Sequence, residues 1–235
     1  YLCSIVEPTI GVLLNIGTAH LEYFESVEGV AKAKGELLDY LGESLTALVN
    51  ADDRVVVQEV QRTKGRLLTF GFARESEFRG EGLVLDQEGC GHFLLHKNPI
   101  DLKIPGRHNA YNALAAASIG RIMDVSWEDI QRALTEFRPV SMRAEIVHKG
   151  EIVVINDCYN ANPDSMSAAL DLLGEVPGAR KVAVLGDMLE LGPQSGEFHA
   201  AVGAQVAAKA DVVLATGSES KQLVAAARSA GMDET

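Results

Sequence analysis

The sequence is poor in cysteine and in long apolar segments, and each shortage excludes a class of protein. Its 235 residues include three cysteines: Cys3, Cys90 and Cys158. An odd, widely spaced set predicts neither a disulfide framework nor a zinc site, and it favours a reducing cytoplasm. No apolar segment approaches the roughly 18 residues that a membrane-spanning helix needs, and no signal-peptide pattern opens the chain.

Basic residues are also scarce. The chain carries 21 Lys and Arg residues against 33 Asp and Glu, for a formal net charge of -12. This acidity argues against nucleic acid and anionic membranes as partners, because phosphate groups are bound mainly by Lys and Arg. The remaining composition, 47% hydrophobic and 23% charged, is that of a globular protein. We therefore expect a soluble cytoplasmic protein with one large domain or two modest ones.

Three widespread catalytic and nucleotide-binding patterns are missing as well. The chain contains no G-x-x-x-x-G-K-[ST] phosphate-binding loop, no G-x-G-x-x-G that opens a helix, and no G-x-S-x-G nucleophile elbow. His and Cys do not occur at the spacing of a metal site. Residue patterns alone therefore do not establish nucleotide binding.

Strands and helices alternate in residues 1–138, which predicts an α/β unit with a parallel sheet. Apolar runs predict buried strands at 9–16 and 45–49, and helical periodicity predicts helices at 27–41 and 52–61. Short runs between glycine-bearing turns predict an antiparallel appendage, with strands at 67–70, 82–85 and 92–95. Helices are predicted at 109–123 and, after Ser126 as N-cap, at 126–137.

Residues 139–235 repeat a regular βαβαβα order, which predicts a second, Rossmann-like doubly wound unit. The predicted strands and helices alternate at 152–155, 165–173, 181–185, 197–209, 211–214 and 220–230. We place the domain boundary between Arg138 and Pro139. The chain starts at Tyr1 without a methionine and ends directly after a helical pattern, so we expect a piece of a longer protein, with both units incomplete.

Polar residues that follow buried strands are the candidates for chemistry, because ligands of open parallel sheets bind beyond the carboxyl ends of the strands. His20 follows the first strand and is either a loop histidine bonded to backbone or a ligand of metal or phosphate. Lys34 falls on the apolar stripe of its helix. It either extends its amine to solvent or is a desolvated amine that reacts with carbon dioxide to give a metal-bridging carbamate.

Other polar residues have a structural and a functional interpretation that the pattern does not separate. Asn109 and Asn112 share one face at the start of a helix, where they either cap it or contact a base or ribose. Asp157 and Asp187 each follow a strand and suit ribose hydroxyls, ammonium groups or metal. Arg143 is either a surface charge or a phosphate clamp across the domain boundary.

Five short motifs, taken together and in this order, resemble the Mur ligases. They are N-I-G-T-A-H-L-E (15–22), A-K-A-K-G-E (31–36), G-R-H-N-A-Y-N-A-L-A-A (106–116), N-D-C-Y-N-A-N-P-D-S-M (156–166) and G-D-M-L-E-L-G (186–192). The resemblance implies a UDP-binding first domain, a central mononucleotide-binding ATPase domain and a C-terminal Rossmann-like domain. Residues 1–138 would be part of the central domain, without its P-loop, and residues 139–235 a truncated last domain.

The resemblance also implies an activity, an ATP-dependent amide ligation in peptidoglycan precursor synthesis. Y-N-A-N-P and G-D-M-L-E-L-G favour the branch that joins D-alanyl-D-alanine to UDP-MurNAc-tripeptide through an acyl phosphate. A sister Mur ligase, a folylpolyglutamate synthase and a cyanophycin-type enzyme are the nearest alternatives. A non-catalytic nucleotide-binding module and a plain structural or interaction domain are the more distant ones.

Site residues follow from the same resemblance. It implies a magnesium-ligand histidine at His20, a carbamylated lysine at Lys34, an adenine and ribose pair at Asn109 and Asn112, and a γ-phosphate arginine at Arg143. Asp157 would contact the ribose or lie at the domain hinge. A weaker group would contact the dipeptide or stabilise domain closure: Tyr159, Asn160, Asn162, Asp187 and His199. ATP and Mg²⁺ are the expected cofactors, the partners are small-molecule substrates, and we expect a monomer.

Overall fold

A computed structural model of the chain describes residues 1–138 and 141–233. Its strands, in chain order, are β1 (Ile10–Leu13), β2 (Thr46–Asn50), β3 (Arg66–Gly71), β4 (Phe78–Leu85), β5 (Cys90–Leu95), β6 (Asn98–Pro105), β7 (Glu145–Lys149), β8 (Ile152–Asn156), β9 (Val182–Leu185) and β10 (Val212–Ala215). Its α-helices are α1 (Leu2–Val6), α2 (Leu21–Phe24), α3 (Val27–Tyr40), α4 (Arg54–Glu59), α5 (Arg107–Ile122), α6 (Trp127–Glu136), α7 (Pro163–Glu175), α8 (Ser195–Val206) and α9 (Ser220–Ser229). Short 3₁₀ turns occupy Val60–Arg62 and Gly192–Gln194.

The first unit is built on a six-stranded sheet in the order β1-β2-β3-β4-β5-β6. The pairs from β1 to β4 are parallel and those from β4 to β6 are antiparallel. The predicted parallel sheet is therefore confirmed, but assigning residues 67–70 to the antiparallel appendage is wrong. That segment lies in β3, and the helical crossover at 54–62 brings it back parallel to β2.

Helix packing covers both faces of the parallel strands in the first unit. Ser26 begins α3 by accepting a hydrogen bond from the amide of Gly29 (3.2 Å). Ser126 begins α6 in the same way, accepting from the amide of Asp129 (3.1 Å), which confirms the predicted N-cap. The alanine-rich α5 packs closely on the sheet and buries Leu114 completely. The residues after each parallel strand are therefore left at one edge of a rigid layer.

The second unit contains the predicted strand and helix order, but not one continuous sheet. Strand β7 was not predicted; it pairs antiparallel with β8, while β9 and β10 form a separate parallel pair. A two-residue turn joins β7 to β8, and Gly150 occupies it with φ of 61°. The prediction of a regular doubly wound sheet is thus wrong for β8, because a hairpin partner takes the place of a parallel neighbour.

The two units pack against each other through a turn of the antiparallel strands. Gly89, at φ of 75°, lies in this turn, and a Cβ there would approach the Leu172 side chain of α7 to 2.3 Å. Arg107 lies 4.0 Å from Glu175 across the same contact. The predicted boundary adjoins Pro139 and Val140, which are outside the described residues. Among the residues that are described, no helix has the length and hydropathy that crossing a bilayer takes.

Candidate active site

The loop after β1 is anchored by one residue at the end of β2 and by another that follows this strand. Asn50 ends β2, is buried, and donates from Nδ2 to the carbonyl of Leu14 (3.0 Å). Asp53 caps α4, accepting from two amides of its first turn, and its second oxygen accepts from the amide of Ile16 (3.0 Å). These contacts fix the segment from Asn15 to His20 at the carboxyl edge of the parallel strands.

Lys34 reaches this loop from α3. Its Nζ donates to the carbonyl of Asn15 (2.9 Å), and its side chain is exposed to solvent. Of the two interpretations of Lys34, the structure supports the amine that extends to solvent, because the buried stripe of α3 runs through Val30, Ala31, Gly35 and Leu38 beside it. An exposed amine lacks the desolvation from which a carbamate was argued.

Thr18 connects the β1 loop to the second unit. Its amide and its hydroxyl both donate to Oδ2 of Asp164, at 2.7 and 2.9 Å. Asp164 is the second residue of α7, where the positive end of the helix dipole favours a carboxylate. A Cβ at Gly17 would come within 2.2 Å of the same oxygen. The loop therefore docks on the first turn of α7, which sequence reasoning did not foresee.

His20 makes the second contact between the units. Its Nδ1 is hydrogen-bonded to the carboxylate of Glu190, and the amide of Glu22 donates to the Glu190 carbonyl (2.9 Å). His20 and Glu190 both have left-handed backbones, with φ of 59° and 60°. The sequence distinguished a backbone-bonded histidine from a metal or phosphate ligand; the structure instead pairs His20 with a carboxylate 170 positions away.

The residues at this edge do not form a magnesium site by themselves. Within residues 1–138 and 141–233, no three His, Cys, Asp or Glu side chains are grouped so that they could hold a metal ion. His20 is engaged by Glu190, and Lys34 presents an amine, which is not a ligand for Mg²⁺. Magnesium at His20 and a carbamate at Lys34 therefore stay predictions, and no step below is derived through them.

Asn109 and Asn112 lie together at the start of α5, as their spacing predicted. Asn109 donates from Nδ2 to the carbonyl of Pro105 (2.7 Å), and Asn112 donates to Oδ1 of Asn109 (3.2 Å). The Pro105 carbonyl thus orients the side-chain amide of Asn109, which in turn orients that of Asn112. Their contact with adenine or ribose stays a prediction.

Asp52 and Tyr111 form a polar pair that the sequence analysis missed. Asp52 accepts hydrogen bonds from three successive amides, starting at Phe72 (2.6 Å), and from the hydroxyl of Tyr111 (2.9 Å). Partial burial raises the pKa of Asp52, but these donors together hold it below its usual value. Burial and the nearby Asp52 carboxylate raise the pKa of Tyr111 to about 12. Asp52 follows β2, so the strand-end rule could have found it.

Arg143, Asp157 and Tyr159 are brought together beside the β7–β8 hairpin. Oδ1 of Asp157 accepts from the amide of Ala144 (2.9 Å), and the amide of Tyr159 donates to the carbonyl of Met142 (3.1 Å). The Arg143 guanidinium lies 4.0 Å from the centre of the Tyr159 ring. Of the two roles predicted for Asp157, this contact supports the one at the domain hinge.

Three of the weaker candidates have visible structural roles. Asn162 caps α7, with its Oδ1 accepting from the amide of Ser165 (2.8 Å) in a reciprocal capping box. Asn160 accepts from the amide of Ala161 (2.9 Å). Asp187 accepts from the amides of Ser218 (2.7 Å) and Glu219 (3.1 Å), which joins the ends of β9 and β10. A role in binding substrate stays a prediction for all three.

The position of His199 argues against its predicted contact with the dipeptide. Its side chain is 0% exposed. The Nε2 atom accepts from the amide of Met188 (3.0 Å), and Nδ1 lies 2.8 Å from the carbonyl of Ser195. A ring with no exposed surface and both nitrogens engaged has no atom left for a ligand. His199 therefore supports the G-D-M-L-E-L-G loop from behind, which argues against the predicted contact with the dipeptide, and its predicted role in domain closure stays a prediction.

A cleft of about 370 Å³ opens between α5 and α7. Arg107, His108 and Tyr111 line one wall, and Asp164, Asp171 and Glu175 are on the other. His108 is exposed to solvent over part of its surface, yet desolvation of its imidazole lowers its pKa. The nearby Asp157 carboxylate raises the pKa by a smaller amount. Asn109 and Asn112 are not part of this lining.

Profiles of known families match both parts of the chain. The profile of the Mur ligase middle domain matches residues 1–120, and that of the Mur ligase glutamate ligase domain matches residues 142–235. The first match alone covers more than half of the chain. The chain belongs to the Mur ligase family.

Similar curated Mur ligases share one description, UDP-N-acetylmuramoyl-tripeptide–D-alanyl-D-alanine ligase. The protein from Escherichia coli K12 is 37% identical over 226 residues, which are 92% of this chain and 49% of the relative. The protein from Synechocystis is 35% identical over 211 residues, 88% of this chain and 44% of the relative. The chain thus spans about half the length of the curated relatives that it matches.

Solved structures agree with these matches. A crystal structure of MurF from Acinetobacter baumannii has a TM-score of 0.88 at 30% identity, covering 94% of this chain and 49% of that one. MurF from Thermotoga maritima in complex with ADP has a TM-score of 0.81 at 28% identity, covering 94% and 52%. The α/β fold and the Mur ligase resemblance that the five motifs implied are both confirmed.

The contacts of the β1 loop described above join the two Mur ligase domains. Thr18 and His20 belong to the middle-domain match, while Asp164 and Glu190 belong to the glutamate ligase domain match. Their hydrogen bonds join two separately recognised family domains at the carboxyl edge of the first sheet.

Proposed function

We propose that this chain is part of an ATP-dependent ligase that joins D-alanyl-D-alanine to UDP-MurNAc-tripeptide. Relatives with that description are 35% and 37% identical to it over most of its length. The observation that carries the proposal is the docking of the β1 loop on both C-terminal motifs, through Thr18 with Asp164 and His20 with Glu190. A ligation needs two bound substrates to meet, and this arrangement supports a reaction at the domain contact.

The chemistry proceeds through an activated carboxylate. A carboxylate oxygen of the tripeptide attacks the γ-phosphorus of ATP, the bond to the bridging oxygen breaks, and ADP leaves. The product is an acyl phosphate. The amine of the dipeptide then attacks its carbonyl carbon, and the tetrahedral intermediate loses a proton from nitrogen and expels inorganic phosphate. Positioning of the reactants and neutralisation of charge on the phosphoryl group account for most of the catalysis.

Residues around the hinge suit the phosphate side of this reaction. Arg143 would neutralise the γ-phosphoryl oxygens with a planar fork of donors. Asn109 and Asn112 would bind the adenine or ribose, and Asp157, through the amide of Ala144, would hold the segment that carries Arg143. Closure of the two domains over the acyl phosphate would keep out the water that hydrolyses it.

The acceptor side has fewer constraints. Asn160 is exposed after β8, and Asp187 follows β9, so both lie beyond carboxyl ends of strands. We propose them as contacts for the ammonium or amide groups of the dipeptide, with Asn162 placing the first turn of α7 beside them. A monomer in the cytoplasm is part of the same proposal.

An acceptor panel on the full-length protein tests the function. Phosphate release from ATP is followed with UDP-MurNAc-tripeptide and, in turn, D-alanyl-D-alanine, D-glutamate, L-alanine or a diamino acid. We expect release that depends on D-alanyl-D-alanine alone. Release with a different acceptor would move the protein to a sister ligase. A folded protein that is silent with every acceptor would support a non-catalytic nucleotide-binding module instead.

A further inference from the structure

Arg143 is held from three directions by the segment 157–159. The amide of Tyr159 donates to the carbonyl of Met142, the residue before Arg143. The carboxylate of Asp157 accepts from the amide of Ala144, the residue after it. The Tyr159 ring lies against the guanidinium itself, 4.0 Å from its central carbon. Both the backbone and the side chain of Arg143 are therefore set by one short loop.

The backbone on either side of Arg143 adopts a costly conformation. Met142 and Ala144 have φ of 64° and 46°, in the left-handed region that residues with a Cβ rarely occupy. Such a conformation is unfavourable and persists only where surrounding contacts impose it. Here those contacts are the two hydrogen bonds with 157–159 and one from the amide of Met142 to the Glu145 carboxylate (3.2 Å). Arg143 is thus presented in one defined orientation.

A comparison with Arg62 shows what the ring contact leaves available. The guanidinium of Arg62 donates to Asp39, to Glu59 and to the carbonyl of Lys32, so its donors are consumed within the fold. Arg143 forms no hydrogen bond or ion pair with the described residues, and its guanidinium carbon lies over the Tyr159 ring. Because the N–H groups of a guanidinium lie in its plane, stacking orients Arg143 without using a donor.

We propose that Tyr159 is a positioning residue that holds the Arg143 guanidinium by its face so that its N–H donors are free for the transferred phosphoryl group. This rests on the proposed function and replaces the predicted contact between Tyr159 and the dipeptide. Tyr159 acts on the phosphoryl-transfer half of the reaction, through Arg143, and not on recognition of the acceptor.

Kinetics of four variants in the full-length protein test the proposal: Tyr159→Phe, Tyr159→Leu, Arg143→Ala and the double variant Tyr159→Leu/Arg143→Ala. Tyr159→Leu keeps an apolar side chain but removes the ring, and we expect kcat to fall about two- to fivefold, the change that a cation–π contact at an exposed site corresponds to. The KM for D-alanyl-D-alanine should stay unchanged, and Tyr159→Phe should restore most of the loss. In the Arg143→Ala background, Tyr159→Leu should cost nothing further.

A spectroscopic measurement separates this inference from the function on which it rests. Ring current from Tyr159 should shift the Arg143 side-chain NMR signals upfield without any substrate, and Tyr159→Leu but not Tyr159→Phe should abolish the shift. A missing shift, a raised KM for the dipeptide in Tyr159→Leu, or a further loss in the Arg143→Ala background would each overturn the proposal. A shift that is present in a protein without ligase activity would show that the stack exists while the function, and the role derived from it, fail.

Discussion

Strands β2 and β9 are similar short apolar segments with opposite surroundings. In β2, Leu48 is 0% exposed, because the strand lies between two parallel neighbours and helices cover both faces. In β9, Val184 is 70% exposed, and among the described residues the strand pairs with β10 alone. An apolar run therefore predicts a strand in both units, but the number of layers around it decides how much it stabilises the protein.

Truncating a buried leucine of the first sheet should destabilise the protein far more than truncating an exposed leucine of the second. Leu48→Ala should lower the free energy of unfolding by about 3 kcal/mol, because it leaves a cavity in a closed core. Leu214→Ala in β10, where the side chain is 56% exposed, should change it by less than about 0.5 kcal/mol. Urea unfolding followed by circular dichroism and by fluorescence of Trp127 in α6 measures both. Equal losses would show that the second sheet is as closed as the first.

Two carboxylates that follow strands, one in each unit, differ in the number of hydrogen bonds that they accept. Asp52 accepts from three amides and a tyrosine hydroxyl, whereas Asp187 accepts from two amides and a serine hydroxyl at the exposed end of β9. Asp52→Asn should lower the free energy of unfolding by about 2 kcal/mol at pH 7, the range for hydrogen bonds to a charged group. Asp187→Asn should have the smaller effect of the two.

The Asp52 effect should depend on pH with a defined sign. Its pKa in the folded protein is below the ordinary value near 3.9, so its contribution is complete above that pH and is lost as pH falls through the folded pKa. The difference between wild type and Asp52→Asn should therefore shrink below about pH 4. A difference that is constant from pH 7 to pH 3 would contradict the assignment.

Loss of a helix N-cap should lower the stability of the protein slightly, and by the same amount in either unit. Ser126 caps α6 in the first unit and Asn162 caps α7 in the second, each by accepting from the amide three residues later. Replacing either with alanine should lower the free energy of unfolding by about 1 kcal/mol, because a cap acts locally and needs no closed core. Thermal unfolding of the two variants measures this, and a silent Ser126→Ala beside a damaging Asn162→Ala would point to a further role of Asn162.

Local patterns predicted the local elements well. The apolar stripe predicted a helix at 27–41, and the structure has Val27–Tyr40. The spacing of Asn109 and Asn112 placed them on one face. Strand β7 was missed because five residues with Glu and two basic side chains carry no clear apolar pattern, and its partner is defined only by the turn at Gly150.

The site was less predictable, because its contacts join distant residues. Nothing near His20 in the sequence indicates Glu190, and nothing near Thr18 indicates Asp164, 146 positions away. For Lys34, helical spacing fixes the direction of Cβ but does not choose between the two interpretations, because a four-carbon side chain carries the amine out to the Asn15 carbonyl. His199 was misjudged because spacing does not reveal that its loop folds back over it.

We propose that the two domains together transfer a phosphoryl group to a carboxylate before an amine attacks it. The test uses the full-length protein, ATP, D-alanyl-D-alanine and UDP-MurNAc-tripeptide. Both oxygens of the tripeptide carboxylate that becomes joined to the dipeptide are labelled with ¹⁸O. Collapse of an acyl phosphate leaves one labelled oxygen on each phosphate released, and mass spectrometry should find it there. Unlabelled phosphate, with its new oxygen taken from water, would show that ATP is hydrolysed without activation of the carboxylate. That result would contradict the proposed acyl phosphate.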